Sequence, residues 1–163
     1  MNDFFQNVMG EHLLNSAPAM FDWLFDDGKF DGPIWSTGTK RKFSNRVMKL
    51  EGFGKTTFKR KTARESYPET RAKRNRPKKP YAIFSSGGSL GQDFVRHIRN
   101  GIAHGNARLF KSGTVDYIEI YDYGSKEQQT AYIVMPLVNL SRIYSIYLDV
   151  SKSVTNRKKG QSK

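Results

Sequence analysis

Apolar residues recur at helical spacing near the start of the chain. Across residues 3–14, Phe4, Phe5, Val8, Met9 and Leu13 line one side, and Asp3 stands in the first turn, where a carboxylate complements the helix dipole. Ser16 and Pro18 break the pattern. Met20, Phe21, Trp23, Leu24 and Phe25 then predict a second, short apolar helix that ends in the turn-rich DDGKFDGP loop, 26–33. From Lys40 to Pro80 the periodicity is poor. A short helix or strand is expected around 43–50, followed by an irregular arm punctuated by Pro68, Pro77 and Pro80. SSGGSL (85–90) reads as a hinge-like loop, and Ser89 with Gln92 has the spacing of a capping box that opens the next helix. In that helix Phe94, Val95, Ile98 and Ile102 cluster on one face, Arg96, Arg99 and Asn100 fall opposite, and Gly105 supplies a C-terminal stop. Residues 115–135 alternate as two strands around a turn near Gly124, a β-hairpin. PLVNLSRIYSIYLDV (136–150) returns to the helical period through Leu137, Leu140, Tyr144, Tyr147 and Leu148, and a lysine-rich tail, 152–163, is expected to fray.

Composition changes this picture in two ways. At 163 residues the chain has a one-domain length, so a single domain over 1–163 is expected. Its hydrophobic content of 37% is low for a compact globule and places part of the chain outside the core. Cysteine is absent, which excludes a disulfide framework, a thiol nucleophile and cysteine-ligated zinc or iron–sulfur sites. No apolar run reaches the roughly 18 residues that span a bilayer, and the acidic, interrupted first residues do not resemble a secretory signal. A soluble, cytoplasmic protein with no membrane partner is the expectation.

Charge is more informative than composition. Residues 40–79 hold 16 of the 28 lysines and arginines and three of the 15 acidic residues, so this segment alone carries +13, the whole net charge of the chain. An arm over 40–80 with that imbalance suits a nucleic acid, whose phosphates release counterions as they are neutralised. Lys59, Arg60, Lys61, Arg71, Lys73, Arg74, Arg76, Lys78 and Lys79 are the candidate contacts, with Arg96 on the following helix. The bland alternative is a solvated insertion. Residues 59–80 lack the apolar face of an interfacial membrane helix.

Two motifs invite chemical readings. GFGKTT (52–57) imitates the end of a phosphate-binding loop, but the required earlier glycine is replaced by Lys49, and no buried strand leads into it. It is a loop. The second, FVRHIRNGIAHGN (94–106), puts Arg99, Asn100 and His104 at one helix end. Arginine offers a permanently charged fork of donors that suits a phosphate, and histidine exchanges a proton near neutrality. Asn100 can orient either group or donate to a phosphate oxygen. These are the parts needed to activate a ribose 2′-hydroxyl toward its neighbouring phosphate, with no metal or other cofactor. The histidines are His12, His97 and His104, and Asp93 is the carboxylate nearest the last two in sequence, which makes a metal site hard to build. Tyr117, Tyr121, Tyr123 and Tyr132 are assigned to packing before base stacking.

RNGIAHG, followed by a strand hairpin and a closing amphipathic helix, resembles the signature of the HEPN superfamily over roughly residues 90–150. The resemblance implies a mainly α, bundle-like fold with a β-hairpin before the last helix, and a dimer in which two copies of the motif face each other across a cleft. It implies a metal-independent endoribonuclease of the toxin or phage-defence kind, with Arg99 and His104 as the catalytic pair and Asn100 at the polar position after the arginine. RNA, a second copy of the chain, and an antitoxin or other regulatory protein are the partners it implies. The alternative is a non-catalytic nucleic-acid-binding or protein-interaction module, such as an antitoxin or a phage inhibitor of host nucleases.

Overall fold

Residues 129–136, QTAYIVMP, are apolar at nearly every position rather than at every second one. Such a run suits a strand buried on both faces, and it lies at the middle of a five-stranded sheet. The computed structural model describes residues 35–50, 52–54, 57–67 and 79–160. These residues form three helices, α1 (Thr37–Val47), α2 (Leu90–Ala103) and α3 (Asn139–Gly160), and five strands, β1 (Phe58–Arg60), β2 (Tyr81–Phe84), β3 (Ala107–Ser112), β4 (Val115–Tyr123) and β5 (Gln129–Pro136). The expected helices at 3–14 and 20–25, the loop at 26–33, His12, and Arg71, Lys73, Arg74, Arg76 and Lys78 lie outside the described residues.

The strand order is β1-β2-β5-β4-β3. β1 runs parallel to β2, with Phe58 opposite Ala82, and the other pairs are antiparallel. The β4–β5 hairpin around Gly124 is as expected, and the turn closes by a bond from Gly124 N–H to the Gln128 carbonyl. β3 joins β4 through Gly113-Thr114, whose first residue takes a φ of 62°, a region open to glycine at no steric cost.

The expectation of a mainly α bundle is therefore overturned. The fold is mixed α/β, three helices with a five-stranded mixed sheet. The physical reason is strand length: β1 and β2 have three and four residues, too few for an alternating pattern to show. Nor is 40–80 an irregular insertion over its described part. Phe43, Val47 and Leu50 are buried at helical spacing beneath a basic exterior, and Phe58 carries β1 into the core. The last helix likewise continues to Gly160, well past the expected end at 150.

One sheet face, through Phe58, Ala82, Phe84, Ile118, Ile120, Ala131, Ile133 and Met135, packs under the helices with Phe43, Phe94, Ile98, Ile102, Leu140 and Ile143. The other face gathers Ile83, Tyr132 and Val134 with half-buried Tyr81, Phe110, Tyr117 and Tyr121. On it the Tyr132 hydroxyl donates to the fully buried Glu119 carboxylate at 3.0 Å. The hairpin tyrosines thus serve packing, except Tyr123, which is exposed.

The placement of α2 governs the candidate site. The expected Ser89–Gln92 capping box does not close: Ser89 makes no side-chain cap bond. Ser44 of α1 takes over, accepting the Gly91 N–H at 2.8 Å and meeting the Ser89 hydroxyl at 3.0 Å. Two glycines let the helix sit this close to its neighbours. A Cβ on Gly91 would lie 2.9 Å from Ser44 Cα, and one on Gly101 would lie 2.3 Å from Ile120 Cγ2 and 2.6 Å from the Tyr121 carbonyl oxygen of β4.

Candidate active site

The α2 C-terminus ends as its sequence predicts. His104 is the C-cap, its N–H bonds to the Asn100 carbonyl, and Gly105 follows in the left-handed region at φ 70°. Asn106 then ties the end down on both sides, donating to the Gly101 carbonyl and accepting from Tyr121 N–H of β4. The glycines of RNGIAHG are therefore structural, and Arg99, Asn100 and His104 are its polar groups.

Arg99 and Asn100 are half-buried and His104 is exposed. The Arg99 guanidinium lays one edge of its fork on the Asn100 side-chain oxygen, from Nε at 3.0 Å and Nη2 at 2.6 Å. Asn100 in turn points its Nδ2 at Asp122 Oδ2, 3.4 Å away on β4. Asp122 is a buried carboxylate beside a register shift in the β4–β5 ladder, a kink of the kind that re-aims side chains. Its Oδ2 also accepts from Thr130 Oγ1 at 3.2 Å and faces His97 Nδ1 at 2.6 Å, while Oδ1 accepts the Tyr123 N–H at 2.9 Å. The other ring nitrogen of His97, Nε2, faces the Ser85 carbonyl at 2.8 Å.

Asp122 accepts from Asn100 Nδ2 and Thr130 Oγ1 at Oδ2 and from the Tyr123 N–H at Oδ1. A backbone carbonyl only accepts, so His97 donates from Nε2 to Ser85, and its Nδ1 shares a hydrogen bond with Asp122 Oδ2. The result is a buried histidine–aspartate pair, with side chains 4% and 3% exposed. A buried pair of this kind survives because its remaining hydrogen-bonding capacity is filled.

Sequence reasoning did not find Asp122, Thr130 or the role of His97. A signal was present: on β4 the positions that share the inward parity are Ile118, Ile120 and Asp122, so a carboxylate falls where an apolar residue is expected. Among the described residues no group of three or more His, Cys, Asp or Glu is placed to share a metal ion.

The basic candidates are scattered in their engagements. Lys59 forms a salt bridge with Glu65, whose carboxyl is held at about 2 chiefly by the Lys59 hydrogen bond, with help from Thr62. Lys61 lies over the Tyr67 ring, 5.3 Å from its centroid. Burial pushes the Tyr67 hydroxyl up to about 12, with the Asp122 charge adding to the effect. Arg60 donates to Ser86 Oγ and the Gly88 carbonyl, at 3.3 and 3.1 Å. Arg96 is exposed and paired with Asp93 at 2.9 Å, the carboxylate that also accepts from Ser86. Arg60 and Arg96 thus converge on one loop at the start of α2. Lys79 is exposed.

Across residues 35–157, more than half of the chain, the sequence matches the model of a family described as HEPN pEK499 p136. The chain belongs to this HEPN family. Arg99, Asn100, His104, Asp122 and Thr130 all lie inside the matched region. HEPN domains are known for ribonuclease and for defence or toxin roles. No curated protein and no solved structure matches the chain significantly. Among the described residues no helix is long and apolar enough to cross a membrane.

Proposed function

We propose that this HEPN chain is an endoribonuclease that cleaves RNA by 2′-hydroxyl attack, without a metal ion, in a toxin or defence setting in the cytoplasm. The observation that carries the reading is the end of α2, where Arg99 is locked edge-on to Asn100 and an exposed imidazole, His104, caps the same helix. His104 takes the proton of a ribose 2′-hydroxyl. The 2′-oxygen bonds to the adjacent phosphorus, and the bond from phosphorus to the 5′-oxygen breaks. Arg99 stabilises the charge that develops on the phosphoryl oxygens.

The departing 5′-oxygen needs a proton from the opposite side. A two-fold dimer would supply His104 of a second copy as the acid. Arg60, Lys61, Lys79 and Arg96, with Lys59 and the basic residues 71–78, would hold the RNA, and an antitoxin or other regulatory protein would restrain the enzyme.

The test uses one labelled RNA with wild type, Arg99→Ala and His104→Ala, each with and without EDTA. Wild type should leave 2′,3′-cyclic phosphate and 5′-hydroxyl ends, undiminished by chelator, and neither variant should cut. Chelator-sensitive cutting, 5′-phosphate ends or equal cutting by His104→Ala would each overturn the assignment. RNA that is bound but left uncut by wild type would make the chain a binding module.

A further inference from the structure

We infer that Asp122, held by His97, is a positioning residue for Arg99, acting through the Asn100 side-chain amide. This rests on the ribonuclease reading only for its effect on cleavage. An asparagine amide has a donor end and an acceptor end of nearly equal shape, so a neighbour must decide which way round it sits. Asp122 makes that decision. Because its Oδ2 only accepts, it draws Nδ2 of Asn100 toward itself and leaves Oδ1 facing outward, where Nε and Nη2 of Arg99 converge on it. Nη1 lies outside that contact, on the other edge of the fork.

His97 keeps Asp122 in this role. Its Nδ1 occupies the same oxygen at 2.6 Å, and its Nε2 is anchored on the Ser85 carbonyl, so the Asp122 side chain is fixed in the core. Thr130 and the Tyr123 N–H complete the fixation from β5 and β4. With asparagine at position 122 the neighbour could donate as well as accept. Asn100 could then turn its own NH2 toward the guanidinium, and Arg99 would lose the two bonds that fix that edge of its fork.

The experiment follows the Arg99 Nε–H proton by ¹⁵N-correlated NMR, its signal assigned by loss in Arg99→Lys. In wild type the signal should be present and slow to exchange. Asp122→Asn and Asn100→Ala should each speed exchange by about tenfold or more. On labelled RNA each should lower kcat/KM by about 100-fold, the scale of an angstrom-sized misplacement, and the double variant should be no worse than the poorer single. An Arg99 signal in folded Asp122→Asn that exchanges as in wild type overturns the inference. Should Asp122→Asn not fold, the Asn100 side-chain amide of wild type decides: protected hydrogens support its hold on Asp122, and hydrogens exchanging at the free-amide rate refute it. If wild type cuts no RNA while the exchange pattern is as expected, the ribonuclease reading fails and the positioning role stands.

Discussion

Gly101→Ala puts the placement of α2 to the test. A Cβ there would sit 2.3 Å from Ile120 Cγ2 and 2.6 Å from the Tyr121 carbonyl oxygen, and the second is backbone within the sheet. To regain ordinary van der Waals separation the helix end must retreat by roughly 1 Å. Overpacking of this sort costs about 1–3 kcal/mol, and the better helix propensity of alanine returns at most about 1 kcal/mol. A net loss of about 1–2 kcal/mol should lower the melting temperature by roughly 2–8 °C for a chain of this size. The same retreat stretches the Asn100–Asp122 contact, already 3.4 Å, beyond hydrogen-bonding distance, so RNA cleavage should fall by more than the stability loss explains. Thermal unfolding followed by circular dichroism measures the first effect, with Gly87→Ala, where a Cβ meets nothing within 4 Å, as the neutral control. A Gly101→Ala protein as stable as wild type would refute the close packing of α2 on β4.

Replacing His97 with alanine leaves the buried Asp122 side chain without its closest hydrogen-bond partner and should cost about 1–3 kcal/mol in urea unfolding, more than His104→Ala at the exposed C-cap. Tyr67 should titrate at about 12 when followed by phenolate absorbance. Since that value is raised above the unfolded one, its contribution to stability is complete below about pH 10 and is lost as pH rises toward 12. Glu65 runs the opposite way: with its folded value lowered to about 2, the stability it adds is present above its ordinary value and disappears as acid approaches pH 2, which Glu65→Gln should abolish. Changing Arg71, Lys73, Arg74, Arg76 and Lys78 to serine should reduce the log–log salt slope of RNA binding by up to about 3.5, and an unchanged slope would remove that segment from the interface.

The elements legible in sequence were those long enough to show a period. Phe94, Val95, Ile98 and Ile102 announce α2, Gly105 announces its end, and the β4–β5 hairpin is visible in its tyrosines and isoleucines. The sheet was not legible, because Phe58 is the one apolar residue of β1 and the four residues of β2 look like a spacer between Pro80 and Ser85. In α1, five lysines and arginines between Lys40 and Lys49, counting the turn that follows the helix, hide the Phe43, Val47 and Leu50 stripe. Within the candidate site, Arg99, Asn100 and His104 are neighbours on one helix and could be read together. Asp122 joins them only through the sheet, 22 residues beyond Asn100.

The sheet order also dictates when the candidate site can exist during synthesis. Its groups enter the chain over a long interval: Ser85 and His97 first, then Arg99, Asn100 and His104, then Asp122, and Thr130 last. The Asp122 cluster needs β5 paired with β4, and β5 is also the strand that joins β4 to β2. The helix bearing Arg99 therefore leaves the ribosome before the carboxylate that orients it is available. A nascent chain that stops short of Thr130 carries the whole RNGIAHG motif but not the buried framework beneath it. On the proposed reading, an enzyme dangerous to its own cell is born inactive, and completing the sheet is the step that arms it.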